Sequence, residues 1–186
     1  VAGNARYVAK MNVSHTIDVP RADLDSTHAP FAAIIRCADA RVSPEICFDQ
    51  QLGRLFVCAV AGNIVTPEII ASLEYSVLVL GSKAILVLGH SNCGAVDEAI
   101  KNRADTSNLP GSLPILIDQI ISPCCMTADP NSAEDLNTAI ACNANMGAKE
   151  LVRRSPALAE AVKAGKLKIF SGVQNLKSGK FEITSK

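Results

Sequence analysis

The chain has 186 residues, 48% of them hydrophobic, with 18 Lys and Arg against 18 Asp and Glu and a sequence pI near 7.0. That length suits one domain spanning residues 1–186 with a full core and is too short for two comfortable ones. The balanced charge gives nucleic acid or an anionic membrane surface no electrostatic foothold, and no apolar run has the roughly 18 residues that a membrane span needs.

Residues 4–11 read as a short helix and 12–30 as loop, with Pro20 and Pro30 as breakers. A buried strand is expected over 31–36 (FAAIIR), running straight into CADARVSPE, and a second over 54–63 (RLFVCAVAGN). Thr66, Pro67 and Glu68 combine an N-cap, a first-turn proline and an early acid, so a helix should start there and run to a stop at Gly81. KAILVLG (83–89) is the third strand, followed by a helix over 92–102. The proline-rich stretch 104–131 holds a short helix at 113–121. A long helix covers 132–154, and Pro156 opens another that reaches Gly165. KLKIFSGV (166–173) is the fourth strand, and GKFEIT (179–184) is a fifth at an edge. Apolar strands separated by helices imply an α/β fold, a central and mostly parallel sheet of four to five strands flanked by helices.

In such a sheet ligands bind beyond the carboxyl ends of the strands. CADAR, AGN and GHSNC follow the first three strands, so the three exits can converge on one crevice. They carry Cys37, His90 and Cys93, two thiols and an imidazole, a borderline-soft donor set that suits zinc better than magnesium or calcium. Buried cysteines also serve simply as small hydrophobes, so these residues alone leave packing and metal binding both open. Asp39 and Arg41 alternate with Cys37 and would share its direction in an extended segment. Arg41 could grip Asp39 bidentately and keep it ionised, or the two could form an ordinary loop ion pair.

CADARV followed by HSNC resembles the beta-class carbonic anhydrases, whose pattern is C-x-D-x-R with H-x-x-C downstream. The similarity extends to EICFDQQLGRLF, AGNIV, SLEYSVLVLG, LGHSNCGAV and SPALAEAVKAGKLKI, nearly the whole chain. The resemblance implies one zinc ion per subunit held by Cys37, His90 and Cys93, with Asp39 and Arg41 as a catalytic dyad. It implies reversible hydration of carbon dioxide to bicarbonate and a proton by zinc-bound hydroxide, in a homodimer or a higher multiple of dimers. Two thiolates cancel the charge of the ion, so activity is expected to rise on the alkaline side. Asp39 could alternatively swing onto the zinc, a movement that Arg41 would oppose.

Several positions depart from the relatives. His28 stands where a Gln often lines the substrate pocket, and Ala59 where an Arg is common; Gly94 completes the expected pocket set. Ile34, Ala59 and Val173 replace the Trp, Arg and Tyr of an inhibitory bicarbonate site, which is therefore not expected. The altered pocket keeps hydrolysis of carbonyl sulfide or carbon disulfide on the same zinc as an alternative. A structural or sensory zinc site and a thiol redox protein are weaker rivals, the latter lacking C-x-x-C. Seven cysteines without dense spacing read as reduced thiols in a cytoplasmic protein, and the start at Val1 leaves an upstream segment open. Cys47, Cys58, Cys124, Cys125 and Cys142 read as packing residues, and His15 as a surface histidine.

Overall fold

The computed structural model describes residues 1–13, 21–26 and 28–185; His15 lies outside them. Strands β1 (Ala32–Arg36), β2 (Leu55–Ala59), β3 (Ala84–His90), β4 (Lys168–Gln174) and β5 (Phe181–Ile183) form one sheet in the order β2-β1-β3-β4-β5. The first four strands are parallel, and β5 closes the edge in the antiparallel sense. In register, Arg36 lies level with Ala59 on one side and Leu88 on the other, so the carboxyl ends of β1, β2 and β3 come out together.

One face of the sheet is covered by helices α4 (Pro67–Leu78), α8 (Ala133–Arg154) and α9 (Pro156–Lys163). Ala33, Ile35, Ile85 and Val87 meet Leu73, Leu151 and Leu158 there, all buried. Strands buried on this face and backed on the other have no polar alternation, hence their unbroken apolar sequence. Each helix starts where a side chain satisfies an orphan amide. Thr66 accepts from the Ile69 amide, Ser132 from Asp135 and Ser155 from Leu158. Ser155 also ends α8 and donates to Glu74 Oε1 at 2.6 Å, so one hydroxyl ties α9 to α4. Gly147 lets α8 lie close on β3, because a Cβ there would come within 3.1 Å of Val87 Cγ1.

The opposite face carries Ile34, Leu88 and Val42, with Phe48 and Phe181 packed edge to face at 5.1 Å between ring centres. Beside them an apolar groove of about 300 Å³, lined by Phe31, Ile34, Leu55, Leu86 and Phe170, stays open. Helix α1 (Ala2–Val8) is anchored by buried Asn4, which donates to the Gly179 carbonyl at 2.8 Å and accepts from the Phe181 amide at 2.8 Å.

Several expectations need correction. Helix α2 (Arg21–Ser26) occupies a stretch read as loop, α3 (Pro44–Cys47) one given no element, and α7 (Pro123–Thr127) lies in the proline-rich stretch outside the helix expected at 113–121. Strand β2 stops at Ala59, and Ala61–Asn63 forms a 3-10 turn instead of continuing it. Helix α4 ends at Leu78 because the Leu80 amide reaches back to the Tyr75 carbonyl and Gly81 turns left-handed (φ 78°). Helices α5 (Gly94–Lys101) and α6 (Leu113–Asp118) are shorter than the pattern suggested. No helix among the described residues is long and apolar enough to cross a membrane.

The reading of all cysteines as reduced thiols is also corrected: Cys124 of α7 and Cys142 of α8 form a disulfide. Cys47, Cys58 and Cys125 are free and buried, as packing residues should be. Burial pushes the Cys47 thiol up to about 11. The bridge closes a separation of 18 residues. Replacing both cysteines with alanine should therefore cost about 3 kcal/mol, read as a lower urea midpoint at unchanged slope. An unchanged midpoint would contradict a stabilising bridge.

Candidate metal centre

The chain leaves β1 for β2 on one side, while β3 lies on the other. Strand order therefore reverses between β1 and β3, and a crevice opens at such a switch point. Cys37 is the first residue after β1, His90 the last of β3, and Cys93 the N-cap of α5. Asn92, left-handed at φ 55°, turns the chain back so that Cys93 rejoins His90. The three ligand atoms lie within 4.8 Å of one another, the one such group of His, Cys, Asp or Glu found among the described residues. Their exposures are 5%, 0% and 1%, so the cluster is interior.

Burial without partners is costly for polar atoms. His90 Nδ1 faces the Ser91 carbonyl at 3.0 Å. A carbonyl only accepts, so the proton belongs on Nδ1 and the lone pair on Nε2. That Nε2 is buried and has no hydrogen-bond partner among the described residues. The two sulfurs stand 4.0 Å apart. Cys37 is pushed down, first by the hydrogen bond from Cys93 and also by the Gly62 amide, which donates to its Sγ at 3.3 Å. Cys93 is driven up by the same pairing and by burial. Two sulfurs and an unclaimed imidazole lone pair fit a borderline-soft divalent ion, and the set lacks the oxygens that magnesium or calcium would require.

Asp39 and Arg41 do come together at this cluster, by a different route from the one expected. The segment is not extended: the Val42 amide bonds the Asp39 carbonyl at 3.1 Å, closing a turn. Within it Asp39 Oδ1 accepts from the Arg41 amide and Nε, both at 2.9 Å, and Oδ2 from Nη2 at 2.7 Å. Nη2 also reaches the Asn92 carbonyl at 3.3 Å, linking the first exit loop to the third. Asp39 Oδ2 lies 3.8 Å from His90 Nε2. The Arg41 guanidinium holds the Asp39 carboxyl well below the usual carboxylate range.

The expected pocket residues divide. Ala59 ends β2 level with Arg36, and Gly94 opens α5 with free space where a side chain would project, so both lie at the metal end of the sheet. His28 is exposed and precedes the amino end of β1, the end opposite Cys37, so one chain does not bring it to its own cluster. Gly62 was legible only as a strand exit. Its role as amide donor to Cys37 depends on a left-handed φ of 70° within the 3-10 turn, which the letters AGN do not announce.

The family model for carbonic anhydrase matches residues 32–181. A carbonic anhydrase of Mycolicibacterium smegmatis is 33% identical over 184 residues, covering 98% of this chain and 89% of that one. A carbonic anhydrase of Pseudomonas aeruginosa is 34% identical over 166 residues, covering 86% of this chain and 75% of that one. A beta-carbonic anhydrase of Aspergillus fumigatus superposes with a TM-score of 0.77 at 22% identity, over 100% of this chain and 89% of its own. A tetrameric beta-carbonic anhydrase of Sordaria macrospora gives 0.75 at 23% identity, over 88% and 84%. At these identities the superpositions speak for the fold, while the family model and the closer relatives speak for descent. This chain belongs to the beta-class carbonic anhydrase family.

Proposed function

We propose that this chain binds one zinc ion through Cys37, His90 and Cys93 and catalyses the reversible hydration of carbon dioxide to bicarbonate and a proton. The observation that carries this reading is the buried thiol–imidazole–thiol group beside an ionised carboxylate, in a chain of this family. Zinc bound there would acidify a water molecule and supply the nucleophile for an electrophilic carbon.

The chain's own residues have separable parts. Cys37 and Cys93 supply charge to the ion, and His90 supplies its Nε2 lone pair with the ring fixed by Ser91. Asp39, so strongly acidified, does not hold a proton at neutral pH. It therefore acts as a hydrogen-bond acceptor that orients the attacking water through Oδ2, and not as the base that keeps its proton. Arg41 locks that carboxylate in orientation and charge. A methyl group at Ala59 and no side chain at Gly94 leave room at the metal end of the sheet for an uncharged linear substrate.

The working unit is a homodimer or a multiple of dimers. The open apolar groove along Phe31, Ile34 and Phe170 supports a second copy packing on this sheet face. In such a pair His28 could serve the pocket of the other subunit.

Three measurements test the reading. With zinc-loaded protein, carbon dioxide hydration should exceed sulfide release from carbonyl sulfide and should rise from about pH 6 to 9. Faster sulfide release would assign the site to the sulfur substrate instead. Arg41→Ala should lower hydration by at least about 100-fold while zinc stays bound, since an orienting partner is lost and no ligand is. Wild-type turnover with full zinc would refute the role of the pair. Finally, a depressed folded-state value means that Asp39 contributes stability in full above about pH 4 and loses it as the pH falls below that point. Carboxyl NMR should find Asp39 ionised at pH values where ordinary carboxylates are half protonated, and Arg41→Ala should return it toward about 3.9. Ordinary titration in the unsubstituted chain would contradict the pairing.

A further inference from the structure

Asn143 is a polar residue in the middle of α8, 8% exposed, on a helix whose neighbouring buried positions are Ala139, Ile140 and Ala144. Its Nδ2 donates to the Gly62 carbonyl at 2.8 Å, across a sequence separation of 81 residues. The amide of the same Gly62 donates to Cys37 Sγ at 3.3 Å. One glycine thus takes a hydrogen bond from α8 on its carbonyl side and gives one to a thiolate on its amide side.

That glycine sits in a strained place. Gly62 and Asn63 are consecutive left-handed residues, at φ 70° and 46°, in the 3-10 turn after β2. Val60 still bonds the β1 side at Arg36 and Ala38 and accepts from the Asn63 amide at 3.0 Å, so the turn is anchored at its start while the Gly62 carbonyl lies beyond the ladder that ends at Ala59. Ile120 closes one side, lying where a Gly62 Cβ would come within 2.4 Å of its Cδ1. Among the described residues, the side-chain donor to the Gly62 carbonyl is Asn143. A buried amide side chain is costly to desolvate, and here its donor is used on this backbone carbonyl.

We propose that Asn143 is a positioning residue for the metal centre: by pinning the Gly62 carbonyl it fixes the backbone dihedrals of Gly62, so that the amide on the other side of the same Cα points at Cys37 and holds that sulfur as an aligned, hydrogen-bonded thiolate ligand. The inference rests on the metal-binding role of Cys37. It adds an outer partner on the helix layer, in a position of the kind that orients ligands and tunes the charge they offer the metal. Removal of the Asn143 donor frees the dihedrals of Gly62 to relax, the thiolate loses an aligned N–H donor, and its electron density rises.

The test measures the site independently of catalysis. Zinc dissociation constants are determined by chelator competition for the unsubstituted chain, Asn143→Leu, which keeps the volume without the donor, and Asn143→Ala. The same proteins loaded with cobalt(II) report thiolate electron density through the sulfur-to-metal charge-transfer band. Both variants should bind zinc about 10- to 100-fold more weakly and move the band to longer wavelength. Leu151→Ala, on the same helix and remote from Gly62, should lower the melting temperature and leave the band in place. If either folded Asn143 variant keeps the zinc affinity and band of the unsubstituted chain, Asn143 is only a packing residue and the proposal falls. If the unsubstituted chain itself binds no zinc, the metal-centre reading falls with it, so the two failures are told apart.

Discussion

Two sulfurs and an imidazole nitrogen within 4.8 Å of one another, all buried, are the constraint on which the rest of this molecule depends. Left alone, such a group is unfavourable: two buried sulfurs face each other across 4.0 Å and, among the described residues, the imidazole Nε2 meets no donor. A divalent cation relieves both deficits at once, because it accepts the lone pair and permits the second thiol to ionise. The surroundings preserve this unfinished state and do not satisfy it from within. Ser91 takes the one proton of the His90 ring and Gly62 aims an amide at Cys37, yet no donor among the described residues reaches Nε2.

The sheet makes that arrangement possible. Strands β1 and β3 are neighbours, and their apolar register fixes how deep Cys37 and His90 enter the crevice. The switch in strand order leaves space there instead of a crossing helix. Asp39 is held by Arg41 rather than by the cluster, and Arg41 in turn touches the loop that carries Cys93. Charge beside the centre is thus set by an ion pair within the first exit loop, and Arg41 ties that pair to the third through the Asn92 carbonyl.

Much of this was legible in the sequence, for identifiable reasons. Buried parallel strands leave unbroken runs of Ile, Leu and Val, and the start of α4 announces itself through Thr66, Pro67 and Glu68, whereas the capping roles of Ser132 and Ser155 emerge from the structure. Donor types at strand exits identified Cys37, His90 and Cys93 as one group. What escaped depends on local dihedrals or distant pairing. Asp39 and Arg41 meet through a turn, although strand alternation had suggested the same neighbours. The Cys124–Cys142 bridge needs the register of a five-residue helix against α8, which no periodicity supplies. Asn143 looks like a surface residue until the rotation of α8 turns it inward, and His28 lies at the wrong end of β1 for its own crevice.

X-ray absorption at the zinc edge of the purified, zinc-loaded chain tests the central claim most directly. The account predicts a first shell of two sulfurs at about 2.3 Å with light scatterers near 2.0–2.1 Å, one of them showing the outer-shell pattern of an imidazole. A shell of nitrogen and oxygen alone, or one of four sulfurs, would contradict it.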